Sequence, residues 1–397
     1  MKVRKYFYLL HIVVGLPAGL ILFNSSAHAY DFTGLGTTSD GEYRAITATD
    51  ISGDGSVVIG FSSSELQGYS QAFRWSRDSG VEVLGDLPGG SVSSQAYGVS
   101  LDGSVIVGTS NSSLGTQAFR WTQDDGMVGM SGGVSGRPIN ATGVSADGSV
   151  IVGDAVSGSL SQGFEVFRAV DSTIAGLGGL EGSVGAIATD VSADGSVVVG
   201  RSKSGTTFGW EAFVWTESTG MQGLGFLPGE TESNAQAISA DGKTVVGSTT
   251  INSSVAKGFY WTASSGMLPL ETTDPDIIEG VANDVSGDGS VIVGQILSAT
   301  RGWSGAFVWD QEHGMQNLAD LLLAESVDLT GWTLSGALGV SDDGRSIVGW
   351  GINPDGLQEA WIVTQPVPLP SSVWLLASSL IALGSLCRRS SAAHGRR

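Results

Sequence analysis

The sequence predicts an all-β chain: a seven-bladed β-propeller of four-stranded blades, closed by a strand from its N-terminal end. Three observations predict it. A Ser-x-Asp-Gly signal recurs seven times, with its aspartate at Asp54, Asp102, Asp147, Asp194, Asp241, Asp288 and Asp343. The spacings are 48, 45, 47, 47, 47 and 55 residues, and a period of roughly 40–50 residues with four strands per unit is that of a propeller blade. The seventh unit stops one strand short, after Ala360-Trp361-Ile362-Val363, while Phe32-Thr33-Gly34-Leu35-Gly36 near the other end matches the missing strand type. Joining the two closes a ring and removes an open sheet edge. An open β-solenoid is the alternative arrangement of the same units.

Taken in chain order, the first element is an address. Lys2, Arg4 and Lys5 precede an apolar run from Tyr6 to Phe23, and the small residues Ala27 and Ala29 give the A-x-A pattern that signal peptidase reads. Residues 1–29 are therefore expected to be a signal peptide cut after Ala29, with an uncleaved anchor as the alternative. Residues 30–364 are expected to form the propeller.

Each unit holds four short runs. The first ends in "VS" (Tyr97-Gly98-Val99-Ser100), and the second is "SVIVG". The third is "AFRW" (Ala72–Trp75, Ala118–Trp121) or "AFVW" (Ala212–Trp215, Ala306–Trp309). The fourth is typified by "GMQGLGFL" at Gly220–Leu227. β-Branched and aromatic runs bounded by Gly, Ser and Asp read as strands, and 60 glycines disfavour helices. Asp-Gly falls between the first and second strands, where a hairpin wants a positive φ that Gly adopts cheaply. A calcium loop needs several oxygen ligands at alternating positions; most copies offer one aspartate beside Ala and Ser. The repeat is thus expected to be a turn, as in Asp-box and TolB-type propellers, which these turns resemble.

The repeats also resemble the HAF family of extracellular repeat proteins, through Gln71-Ala72-Phe73, Gln117-Ala118-Phe119, Glu211-Ala212-Phe213, Gly305-Ala306-Phe307 and the final "GWTLSGALGVSDDGRSIVG" with "EAWIV". The His of the family motif is absent throughout. This resemblance implies a fold and an extracellular location, not a reaction.

The last element is residues 365–397. Val367-Pro368-Leu369-Pro370 precedes an uncharged run of 17 residues, Ser371–Cys387, which Arg388 and Arg389 close. As a helix the run reaches about 25 Å, a marginal span for a hydrocarbon core of about 30 Å, with its arginines on the cytoplasmic side. This layout is similar to the PEP-CTERM sorting signal in its VPLPA form, with Ser371 where that form has Ala. The resemblance implies a Gram-negative host, recognition by an exosortase and removal of the tail at the short motif. A retained anchor is the alternative.

Composition excludes much. The net charge is −20, and loss of both ends removes seven basic residues and no acid, leaving −27. Such a field repels nucleic acid and anionic lipid, so the only membrane contact expected is through the terminal segments. The single cysteine, Cys387, lies in the tail, and His313 is the one histidine between the signals. Catalytic triads, disulfides, thiolate metal sites and His general bases lack raw material. No "GxxxxGK[ST]" occurs, and no cofactor is expected.

A ligand surface is expected where connections vary. The Asp-Gly turns and the four-residue third-to-fourth turns are uniform and share one face of the disc. The second-to-third and interblade connections vary, including an insertion near Leu321–Leu334, and share the other. Trp75, Trp121, Trp215, Trp261, Trp309 and Trp361 recur in the repeat frame and are expected to pack between blades. Trp210, Trp303, Trp332 and Trp350 fall outside that frame on the variable face. An exposed indole there suits stacking on a sugar ring, with local loop packing as the alternative role. Glu230, Glu232, Asp274, Asp276 and Glu279 share that face. Two carboxyls about 5–9.5 Å apart would suit glycoside hydrolysis; a solvated acidic surface is the other reading. The sequence thus predicts an exported, non-catalytic surface or matrix protein meeting exopolysaccharide or another surface protein. Its alternative is a polysaccharide-degrading enzyme with an acidic pair in the funnel.

Overall fold

The computed structural model describes residues 30–36, 45–63, 68–131, 136–157, 164–170, 173–205, 209–251, 256–272, 274–275, 277–298 and 304–365. Ala27, Ala29, Val367–Pro370, the 371–387 span, Arg388 and Arg389 lie outside these residues, as do Trp303 and Asp276. Among the described residues no helix is long and apolar enough to cross a membrane.

Seven four-stranded antiparallel sheets form the body. Blades 1 to 6 are consecutive meanders over residues 45–85, 89–129, 136–178, 183–223, 232–269 and 277–317. Blade 7 combines three strands of residues 333–364 with the strand Asp31–Gly34 as its outermost member. The register pairs Asp31 with Thr364, Phe32 with Val363, Thr33 with Ile362 and Gly34 with Trp361, and Leu35 N–H donates to Ala360 O at 2.9 Å. The ring is closed as the sequence predicts, and a linear solenoid is ruled out.

The core is not one cluster but seven, each shared by two adjacent blades, including one between blades 7 and 1. The third strand anchors each sheet. Phe73, Phe119, Phe167, Phe213, Phe259 and Phe307 are fully buried, each opposite a second-strand glycine such as Gly60, Gly108 or Gly294. Trp75, Trp121, Trp215, Trp261 and Trp309 pack into the interblade clusters. Trp361 corrects the sequence frame. It pairs with Gly349 as Phe307 pairs with Gly294, so it occupies the phenylalanine slot of blade 7, and Val363 takes the tryptophan position. Two residues separate alanine from tryptophan in the Trp frame, as in Ala306–Trp309, whereas Trp361 directly follows Ala360. Its indole N–H meets no acceptor among the described residues.

The Asp-Gly turns are built identically. In the first, Ser52 Oγ donates to Asp54 Oδ1 at 2.7 Å, Ser56 N–H donates to the same oxygen at 2.9 Å, and Val57 N–H donates to Ser52 Oγ at 2.9 Å. Gly55 has φ +74°. A side-chain cage of this kind satisfies the turn's backbone donors, which is why Ser and Asp recur together. A second ring then ties the turns to one another. Asp54 N–H donates to Leu101 O, Leu101 to Ala146, Ala146 to Ala193, Ala193 to Ala240, Asp241 to Gly287, Gly287 to Asp342 and Asp342 to Gly53, all within 2.9–3.2 Å.

One short helix, Leu318–Ala324, departs from the all-strand expectation. Asn317 caps it, and its buried Leu318 and Leu322 join the cluster holding Trp361, Val363 and Phe32. The insertion thus reinforces the closing strand. Phe32→Ala is expected to cost about 2 kcal/mol, since the ring is half-buried against Trp332 and Trp361. Urea unfolding checks this against Phe226→Ala, an exposed ring (41%) expected to shift stability by less than about 0.5 kcal/mol.

Candidate functional site

The innermost strands line the axis, and all seven carry a β-bulge at one position, between Ala48 and Asp50 and at its six equivalents. A bulge re-aims side chains. Here it turns two consecutive residues toward the axis: Thr49-Asp50, Tyr97-Gly98, Thr142-Gly143, Thr189-Asp190, Gln236-Ala237, Asn283-Asp284 and Leu338-Gly339.

In blades 1, 3, 4 and 6 the first of the pair ties its blade to the next. Thr49 Oγ1 donates to Ala96 O at 2.8 Å, Thr142 Oγ1 to Ala188 O at 3.0 Å, Thr189 Oγ1 to Ala235 O at 3.1 Å and Asn283 Nδ2 to Ala337 O at 2.8 Å. The second is Asp in blades 1, 4 and 6 and Gly or Ala elsewhere, so no two neighbouring blades carry a carboxylate here. Asp50 accepts from Ile51 N–H (2.7 Å) and Val99 N–H (3.2 Å). Asp190 accepts from Val191 (2.7 Å) and Ile238 (2.9 Å). Asp284 accepts from Val285 (2.8 Å) and Val340 (2.7 Å). Each carboxylate therefore satisfies an edge N–H of its own blade and one of the next. Gly143 leaves little room for a side chain: a Cβ would lie 3.0 Å from Asp190 Cα.

These three acids sit in a narrow channel, each with some surface open to it but protein on every side, and that surround governs their titration. Burial pushes Asp190 up to about 7 and Asp284 up to about 8, with Asp342 repelling the former and Asp190 and Asp342 the latter. Asp50 is raised well above the usual carboxylate range by burial and then by Asp284 and Asp190. The turn aspartates Asp54, Asp102, Asp147, Asp194, Asp241 and Asp288 behave oppositely, held below the usual carboxylate range. Hydrogen bonds from Ser149 N–H, Ser145 and Ser149 hold Asp147 down at about 2.

Above the carboxylates the channel opens into a funnel of about 480 Å3, lined by Tyr97, Asn140, Asp154, Ile187, Gln236 and Asn283 among others. Toward the Asp-Gly face it narrows to about 90 Å3. Among the described residues no Lys, Arg or His lines either part. At the funnel rim Asn140 Nδ2 donates to both Asp154 oxygens at 3.1 Å, and burial raises Asp154 to about 6.

Of the tryptophans predicted to contact glycan, Trp210, Trp332 and Trp350 are not brought together. Trp210, in blade 4, lies with its ring centroid 4.5 Å from the Arg201 guanidinium and 5.7 Å from Lys203 Nζ. Trp332 precedes blade 7 and packs edge-on against Phe32 at 5.1 Å. Trp350 lies in the second strand of blade 7, its Nε1 beside Gly336. None of the three lines the funnel. Of the acids named with them, Glu230, Glu232 and Asp274 do not line it either. Glu230 is buried in an ion pair with Lys257 at 2.7 Å. Glu232 accepts from Thr250 at 3.2 Å, and Asp274 N–H donates to Thr272; Glu279 contributes backbone to the first strand of blade 6.

The residues the sequence reading missed are Asp50, Asp190 and Asp284. Their signal was available: each stands four residues before a turn aspartate, in "ATDIS", "ATDVS" and "ANDVS". Without the bulge, that position alternates away from the axis. Among the described residues no group of three or more His, Cys, Asp or Glu is placed to hold a metal ion.

No family model matches this chain, and no curated protein does. Solved structures do. Oligogalacturonate lyase from Vibrio parahaemolyticus superposes with a TM-score of 0.54 at 10% identity, over 85% of this chain and 97% of that one. The β-propeller domain of the Trilobed protease from Pyrococcus furiosus, described with an open velcro topology, gives 0.54 at 8% identity over 81% and 93%. TolB from Acinetobacter baumannii gives 0.46 at 12%, and the chain spans 63% of its length. At such identities the likeness is one of fold, and the fold is the seven-bladed β-propeller.

Proposed function

We propose that this is an exported, non-catalytic surface or matrix protein, carried by its terminal signals and trimmed by signal peptidase and an exosortase, that binds exopolysaccharide through its variable face. The observation that carries the reading is the funnel: about 480 Å3, walled by Tyr97, Asn140, Gln236 and Asn283, with no basic side chain in its lining among the described residues. Hydroxyl, amide and phenol groups on a rigid wall suit hydroxyl-rich sugars, and the volume lies within the usual range of roughly 300–1,000 Å3 for ligand sites. The acids below disfavour uronates, whose charge would meet carboxylates without a cation, and favour neutral or amino sugars. Trp210 and Trp350 extend the contact surface outside the funnel.

Retention of the exported protein on the producer's own polysaccharide tests this. Gln236→Trp, which fills the funnel, is expected to lower retention at least tenfold, and alanine at Trp210, Trp303, Trp332 and Trp350 to lower it further. Undiminished retention in both variants removes the reading. The enzymatic alternative has one observation in its favour, the carboxyl groups of Asp190 and Asp284 held partly protonated near neutrality. Reducing ends released from purified polysaccharide, and lost in Asp190→Asn, would favour it.

A further inference from the structure

Acidic residues outnumber Lys and Arg in this chain by 39 to 19, so a cation left without an acid partner stands out. Among the described residues, Arg77, Lys243 and Lys257 hold Asp31, Asp241 and Glu230 at 2.7–3.1 Å. Arg74, Arg120 and Arg345 reach a carboxylate at 3.8–4.0 Å, and Arg168 donates to Gly195 O. Arg201 and Lys203 form no ion pair among the described residues; what they share is an indole.

Both lie in the second strand of blade 4, Val197–Ser204, two residues apart and so on one face of the sheet. Trp210 opens the third strand opposite Lys203. Its ring lies 4.5 Å from the Arg201 guanidinium and 5.7 Å from Lys203 Nζ, so one half-buried indole gathers both charges on the variable face. Arg201 Nη1 donates to Asn234 Oδ1 at 3.0 Å, while its Nε meets no acceptor. Burial presses the Arg201 pKa down, and the charges of Asp154 and Glu232 push it back up without pairing with it. Asn234 precedes Ala235 as Asn140 precedes Ala141, and Asn140 lines the funnel. The two cations therefore stand beside the funnel mouth.

A guanidinium with Nη1 committed keeps Nε and Nη2, a parallel pair of donors that suits the two oxygens of a carboxylate. A partly desolvated cation without a counter-charge is costly, and an arriving acid group relieves that cost. Trp210 adds a flat apolar surface. A carboxylate beside an apolar C–H face is the make-up of an acidic sugar ring. We propose that Arg201, Lys203 and Trp210 form a subsite for a carboxylate-bearing sugar at the edge of the funnel. This rests on the polysaccharide-binding reading and deepens it. The funnel, above Asp50, Asp190 and Asp284, takes an uncharged ring, and the acid group of a neighbouring ring meets the cations outside it.

Methyl glucuronide and methyl glucoside, which differ in the carboxylate, are the probes, with sodium sulfate as the bare anion. Binding to the exported protein is read by calorimetry. The glucuronide is expected to bind at least tenfold more tightly than the glucoside, with an advantage that shrinks as salt is added. Lys203→Gln and Arg201→Lys, the latter keeping charge but losing the fork, are each expected to cut that advantage at least fivefold. Lys243→Gln, a paired lysine on the opposite face, is expected to leave it unchanged. Equal binding of the two glycosides, or an advantage that survives both variants, overturns the subsite. Sulfate bound as tightly as the glucuronide overturns the sugar ligand. In Gln236→Trp, glucuronide binding that persists while retention on polysaccharide is lost separates the subsite from the funnel; its loss there overturns their separation.

Discussion

Gly247→Ala is expected to abolish the fold or cost roughly 3–5 kcal/mol, among the largest effects of any single substitution in this chain. A Cβ at Gly247 would overlap the carbonyl of Asn234 on the inner strand and lie 3.0 Å from Ala235 Cα. Both are backbone, so no side chain can swing aside. The same clash recurs at Gly60, Gly108, Gly153, Gly200, Gly294 and Gly349, which explains why the second strand ends its apolar run in glycine in every blade. Gly266→Ala is the informative contrast. Gly266 has φ +69° and nothing within 4 Å of its Cβ position, so only the backbone penalty of about 1 kcal/mol applies. Urea midpoints measure both, and equal losses would refute the steric account.

The second large effect is on pH. Asp190 and Asp284 have ordinary carboxyl values near 3.8 when unfolded, but burial raises them to about 7 and about 8 in the ring. The folded state therefore holds protons that the unfolded chain releases, so stability is highest at the acid end and falls as pH rises from about 4 to about 8. The loss is on the order of several kcal/mol, a drop of roughly 10 °C in melting temperature between pH 5 and pH 8. Asp54, Asp102, Asp147, Asp194, Asp241 and Asp288 act in the other direction but below this window. Asp147, held at about 2, stabilises above about 4 and loses that contribution as pH falls toward 2. Asp190→Asn with Asp284→Asn retains acceptor oxygens and removes these two titrations, so its melting temperature is expected to fall much less from pH 5 to pH 8 than that of the wild type, the remaining fall coming from the raised Asp50 and Asp154. A flat wild-type profile would contradict the burial of these groups.

The two effects share a cause in the inner strand. The bulge that brings Asp190 to the axis lies beside Ala188, which pairs with Gly200, the equivalent of Gly247. Close approach of inner and second strands lets each carboxylate reach the N–H of the next blade, and a methyl on the glycine would push the strands apart.

Much of this was legible in the residues. Seven turn signals at near-constant spacing determined the blade count, because each Ser-x-Asp-Gly closes its hairpin with atoms from within six residues. The incomplete seventh unit and the orphan strand at Phe32 determined the closure, since an unpaired edge at both ends has one economical solution. What tertiary structure alone decided is where side chains point and what stands beside them. A single bulge reverses the alternation of a strand, so Asp50, Asp190 and Asp284 face the axis although their pattern reads as turn-flanking polar residues. Trp361 fills a phenylalanine slot because pairing with Gly349, not the identity of the ring, sets its depth. Local hydrogen bonding writes itself into short stretches of chain; packing between repeats is set by partners that sequence order does not bring near.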